Sequence, residues 1–197
     1  AMPLDAAKQK QAYLISLGTE NYPLFQLSLP DYQVTEFRDD LSLPLLMVIR
    51  HAPDLLIVDC LDLSDDVISC CREIQQNHPV PLIVFAKSGA QDRLQKVVRA
   101  GVNACIIDGL LQHRIEGLIA VAVERFKMSR EAYAELETAR RHLQARKVIE
   151  RAKGLLMAQR GLQEDEAYQL LRQTAMRTSK PMHEVAESVL TLSGHLI

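Results

Sequence analysis

The chain has little that would commit it to chemistry or to a membrane. No apolar run approaches the ~20 residues that a bilayer crossing needs. The first dozen residues, AMPLDAAKQKQA, lack the apolar centre of a signal peptide, and Ala1, ahead of Met2, is set aside in this reading. The four cysteines, Cys60, Cys70, Cys71 and Cys105, contain no C-x-x-C pair, which argues against a disulfide framework and a cysteine zinc site and for buried thiols. No phosphate-binding glycine loop, dinucleotide glycine pattern or nucleophile elbow occurs. The six histidines, His51, His78, His113, His142, His183 and His195, are scattered and read as surface residues. The expectation is therefore a cytoplasmic protein that is not an enzyme and carries no cofactor or metal.

What is present is ordinary globular composition. Of 197 residues, 48% are hydrophobic and 24% charged, enough for one medium domain or two small ones and against global disorder. The net charge of −2 is unevenly spread. From Ala139 onward ten Lys/Arg face six Asp/Glu, a balance of +4, while the remainder carries thirteen and nineteen, a balance of −6. Such asymmetry can mark a basic, nucleic-acid-binding part joined to an acidic one, though +4 is modest.

The first ~110 residues alternate between strand and helix patterns. AYLISL, YQVTEF, DLLIVD, PLIVFA and ACIID read as strands; YPLFQLSL, LSLPLLMVIRHA (from near Pro44), DDVISCCREIQQN and AQDRLQKVVRAG read as helices, with Gly101 a good C-terminal residue for the last. Continuous apolar strands separated by helices predict a parallel sheet covered on both faces, the flavodoxin-like α/β class. From Gln112 to Arg160 there is no proline, and Gly117 and Gly154 alone interrupt the helix formers. Ala132, Leu136, Ala139 and Leu143 recur at four-three-four spacing, the seam of a coiled coil, with a stripe so thin that a second copy would be needed to bury it. Beyond Gly161, QEDEAYQLLRQTAMR and PMHEVAESVLTL complete a small three-helix cluster. The expected divisions are a first domain over 3–111, a coiled-coil connector helix over 112–145 and an all-α domain over 146–197.

Residues 3 to about 120 resemble the receiver domain of response regulators, with Asp59 at the phosphoacceptor position. The resemblance implies a Mg²⁺-binding acidic pair after the first strand, a hydroxyl after the fourth and a lysine after the fifth. The residues found there are Leu17 and Gly18 (Glu20 being out of register), Ala86 (Ser88 lying two positions later), and Asp108 with Gly109. The expectation is a pseudo-receiver in which Asp59 is not phosphorylated.

RKVIERAKGLLMAQRGLQEDEAYQLLRQTAMRTSKPMHEVAESVL, from Arg146 to Leu190, resembles the ANTAR domain, most clearly in AKGLLM, Gly161, EAYQLLRQTAM and VAESVL. With the receiver-like front and the connector, the chain is similar to NasT- and AmiR-like members of the ANTAR response-regulator family. That resemblance implies an RNA-binding transcription antiterminator. It also implies binding of hairpins in leader transcripts, a homodimer and a ligand-sensing partner protein that sequesters it. On a helical wheel Val148, Ile149, Ala152, Leu155 and Leu156 share a buried face. Arg146, Lys153 and Arg160 form one basic flank, and Lys147 and Arg151 the other, suited to a phosphate backbone. Gly154 permits close backbone approach, Tyr168 offers a stacking ring for a loop base, and Arg172 and Arg177 offer phosphate or base contacts. Taken without the resemblance, the flanks are solvated surface, Tyr168 is core, and Met157 and Met176 are packing residues. A DNA-binding response regulator and a protein-interaction module remain the rival readings.

Overall fold

The computed structural model describes residues 9–194, except for the side chains at 43–45, 49, 193 and 194. The expected domain start at residue 3 and His195 lie outside the described residues. The chain forms two compact units, one ending at Arg130 and one beginning at Glu131.

The first unit alternates strand and helix. In order come β1 (Lys10–Leu17), α1 (Tyr22–Ser28), β2 (Tyr32–Arg38), α2 (Ser42–His51), β3 (Leu55–Asp62), α3 (Asp65–Asn77), β4 (Leu82–Ser88), α4 (Gln91–Arg99) and β5 (Ala104–Ile107). The five strands are all parallel, in the order β2-β1-β3-β4-β5, which is the doubly wound arrangement expected. Parallel strands buried on both faces must be apolar at consecutive positions, and these are. Leu55, Ile57, Ile83 and Phe85 point to one core, with Phe25 of α1. Leu56, Val58, Leu82 and Val84 point to the other, with Val67, Cys71 and Ile74 of α3 and Val97 of α4. A one-residue slip in β3 would exchange the two sets.

The helix α5 runs from Gln112 to Arg160. Its first turns belong to the sheet unit: Ile115, Ile119 and Ala122 are buried against the face that holds Phe25 and Phe85. Spacings of four and three place them on one side of the helix. Gly161 ends the helix with a φ of 68°, a left-handed turn that costs glycine little, and its N–H donates to the carbonyl of Met157 at 3.0 Å.

In the second unit α6 (Glu164–Thr178) and α7 (Met182–Gly194) follow. Gln163 and Glu166 form a capping box at the start of α6, the Gln163 N–H donating to Glu166 Oε2 at 2.8 Å. The Pro181 carbonyl accepts from the Glu184 N–H at 3.1 Å, so proline stands just ahead of α7. The core joins Val148, Ala152 and Leu156 of α5 to Ala167, Leu171 and Ala175 of α6 and Val185 and Ala186 of α7. The buried row of α6 steps by four residues and ends on Ala175, so Met176 falls outside it.

Candidate functional site

Asp59 lies in β3 on the same side of the strand as Leu55 and Ile57, four and two residues before it. It is 3% exposed. The loop after β1 reaches over it: Thr19 Oγ1 donates to Asp59 Oδ2 at 2.6 Å and Asn21 Nδ2 at 2.9 Å. Burial raises the Asp59 pKa above the usual carboxylate range, and these two neutral donors only partly offset it. A cavity of about 670 Å³ opens beside it at the C-terminal ends of the strands, lined among others by Glu20, Lys87, Asp108 and Arg114.

The positions where a receiver carries its conserved groups hold other residues, each with its own hydrogen-bond partner. Gly18 takes a left-handed φ of 68° and gives its N–H to Asp39 at 2.8 Å. Ser88 pairs across the sheet with Asp62 and donates to Asp62 Oδ1 at 3.0 Å, and Arg93 bonds the other oxygen at 2.9 Å. That hydroxyl also lies 3.1 Å from the Leu61 carbonyl, so its proton is shared between two acceptors of β3. The groups that touch the Asp59 carboxylate are the neutral donors Thr19 and Asn21, not the anionic oxygens from which a Mg²⁺ site is built. Among the described residues no group of three or more His, Cys, Asp or Glu is placed to hold a metal ion. Burial disfavours the thiolate form, pushing Cys70 and Cys105 up to about 11 and Cys60 to about 12.

In the helical unit the residues singled out from the sequence divide into two groups. Arg146, Lys147, Arg151, Gly154 and Arg160 on α5 are exposed, as are Arg172 and Arg177 on α6. Tyr168 is 38% exposed, so its ring is not core, and Met176, at 72%, is not a packing residue. A side chain built on Gly154 would meet nothing within 4 Å, so no contact inside the chain requires glycine there.

Lys153 is different. The wheel of α5 alone puts it on a basic flank suited to RNA, but it is only 7% exposed. Its ammonium donates to Glu150 Oε1 at 3.0 Å and Glu164 Oε1 at 2.8 Å. The hydrogen bond to Glu164, then that to Glu150, raises the Lys153 pKa, and Lys153 in turn lowers that of Glu164. A wheel of one helix cannot show Glu164, which the loop after Gly161 brings in. Sequence reading likewise missed Thr19, Asn21 and Lys87; the polar run GTEN after β1 was the available signal. The seam residues Ala132, Leu136, Ala139 and Leu143 are exposed in the single chain, Leu143 at 61%.

Comparison with known proteins agrees with both halves. Residues 137–190 match the ANTAR domain. The transcriptional regulatory protein PdtaR of Mycobacterium tuberculosis is 31% identical over 144 residues, covering 73% of this chain and 70% of that protein. A nitrate regulatory protein of Klebsiella oxytoca is 41% identical over 60 residues, 30% of this chain and 15% of that protein. Two solved structures share the fold of the sheet unit. A CheY-like response regulator receiver domain protein from Methanospirillum hungatei superposes with a TM-score of 0.53 at 14% identity, over 61% of this chain and 98% of its own. A signal receiver domain from Vibrio parahaemolyticus gives 0.51 at 20% identity, over 63% and 97%. The described residues contain no helix long and apolar enough to cross a membrane. A receiver-type sheet, a long helix and an ANTAR module in this order, with a relative matched across most of both chains, place this protein in the ANTAR response-regulator family of transcriptional regulators.

Proposed function

We propose that this chain is an RNA-binding transcription antiterminator, with no enzymatic activity, that binds hairpins in leader transcripts and keeps a terminator from forming. The observation that carries the reading is the surface of the family-matched residues 137–190: Arg146, Lys147, Arg151, Arg160, Arg172 and Arg177 are exposed, and Tyr168 is partly so. Cations that follow a backbone, with a ring on which an unpaired base can stack, are what a hairpin loop needs. Exposed Gly154 offers the bare backbone that close approach requires. The exposed seam of Ala132, Leu136, Ala139 and Leu143 would be covered by a second copy of the chain, giving two RNA modules per dimer. A ligand-sensing protein that sequesters the regulator would supply the input.

In this reading the sheet unit is a pseudo-receiver. The support is the pairing of Asp59 with Thr19 and Asn21, and of Ser88 with Asp62. A stable phosphoprotein formed with acetyl phosphate and Mg²⁺, and lost in Asp59→Ala, would refute that part.

The test is crosslinking of RNA to the protein in its native cells, followed by sequencing and by titration of the recovered hairpins with pure protein. Leader hairpins upstream of terminators, bound more weakly by Arg151→Glu and Arg160→Glu, support the reading. No enriched RNA, with tighter binding to duplex DNA, overturns it. Sedimentation of Leu136→Glu should show a monomer where wild type is a dimer.

A further inference from the structure

We propose that Lys153 is a positioning residue of the RNA interface and not one of its phosphate contacts: it ties the end of α5 to the start of α6 so that the exposed groups of both helices hold one arrangement. The inference rests on the RNA reading above.

Lys153 is nearly buried, and its ammonium is taken by two carboxylates. Glu150 lies one turn earlier on α5, 2.9 Å away through Oε2, and Glu164 is the first residue of α6, 2.8 Å away. One positive charge against two negative ones leaves this point of the surface at −1. A phosphate approaching it meets repulsion, whereas Arg151 and Arg160 on the same helix are exposed.

The apolar core around Ala152, Leu156, Ala167 and Leu171 holds α5 and α6 together. Apolar attraction is non-directional. A short, charge-assisted bond at the first residue of α6 is directional. It fixes where α6 begins relative to α5, and so where Tyr168 and Arg172 stand relative to Gly154 and Arg160. Glu164 also suits the N-terminus of α6, where a bare ammonium would face the positive end of the helix dipole.

The test uses full-length protein and a leader hairpin recovered by the crosslinking, with affinity measured over a range of salt. Glu164→Ala removes a negative charge, so electrostatics alone predicts tighter RNA binding. Positioning predicts weaker binding, on the order of tenfold. Lys153→Met should weaken binding while leaving the slope of log affinity against log salt unchanged, whereas loss of a true phosphate contact lowers that slope by about 0.7 to 0.9. Lys153→Arg, which keeps the charge and the donors, should restore binding, and the swap of Lys153→Glu with Glu164→Lys should recover part of it. Circular dichroism and melting confirm that each variant is folded. Tighter or unchanged binding in Glu164→Ala, or a reduced salt slope in Lys153→Met, overturns the proposal while the RNA reading stands. Wild type that binds no hairpin removes both.

Discussion

Among the described residues each unit buries one carboxylate or ammonium side chain, Asp59 in one and Lys153 in the other, and the two are held in opposite ways. In the sheet unit Asp59 is held by neutral donors, Thr19 and Asn21; desolvation outweighs them, and its raised pKa favours the uncharged carboxyl. In the helical unit Lys153 is held by two carboxylates; they outweigh desolvation, and its raised pKa favours the charged ammonium. The shifts share a direction and differ in meaning. Neutral partners leave the charged form disfavoured by burial, while charged partners favour it. The core behind each differs as well: two apolar faces sandwich the sheet, and a single small cluster serves three helices.

The harshest way to break this comparison is to attack the smaller core. Leu171→Ala should cost about 2–5 kcal/mol, and Ile57→Val in the sheet about 0.5–1.5. Amide exchange should then speed up throughout α6 and α7 while β1 and β3 stay protected; equal loss in both units would mean that the small core is not the weaker one. Gly154→Ala comes next. Its Cβ meets nothing within 4 Å, so α5 should gain up to about 1 kcal/mol in a melting experiment. On the RNA reading proposed above, affinity should fall in the same variant, because the added Cβ would meet the backbone that approaches there.

Acid separates the two units by sign. Glu164 has a lowered pKa, so its contribution is present above the ordinary value of 4.5 and is lost as pH falls through its folded value. Lys153 has a raised one, so its contribution is present below 10.5 and is lost as pH climbs through its folded value. Asp59 behaves oppositely to Glu164: its folded pKa is raised, so the sheet unit gains stability as pH falls through that value, fully so below 3.8. Melting of the sheet and helical signals between pH 7 and 4 should therefore diverge. The smallest effect expected is that of Asp59→Asn. Its amide oxygen can still accept from Thr19 and Asn21, and it should raise the melting temperature slightly at pH 7 and not at pH 3.5. A lower melting temperature at pH 7 would mean that the ionised carboxylate is worth more to the fold than its burial costs.

The sheet was legible because burial on both faces forces runs such as LLIV and LIVF, which few other structures tolerate. The position of Asp59 followed from the end of such a run. Its partners did not, because a loop brings Thr19 and Asn21 across forty and thirty-eight residues of sequence, and composition carries no trace of that. The three helices were legible from caps and periodicity. The burial of Lys153 was not, since it depends on a second helix, and the exposure of Met176 turned on which of two adjacent apolar residues the row ends on. The start of α5 was also harder to read: Ile115, Ile119 and Ala122 look like any amphipathic helix, and only the packed sheet shows that they close its core.

The thiols of the sheet unit carry a consequence for signalling. A group with a pKa of about 11 offers about one thiolate in ten thousand molecules at neutral pH, and Cys60 still fewer. Burial thus disfavours the thiolate, which is the form that peroxide and disulfide reagents attack. A sequestering partner of the kind proposed above would signal by occupancy: a surface covered or uncovered by another molecule, read within the lifetime of the contact and erased when it ends.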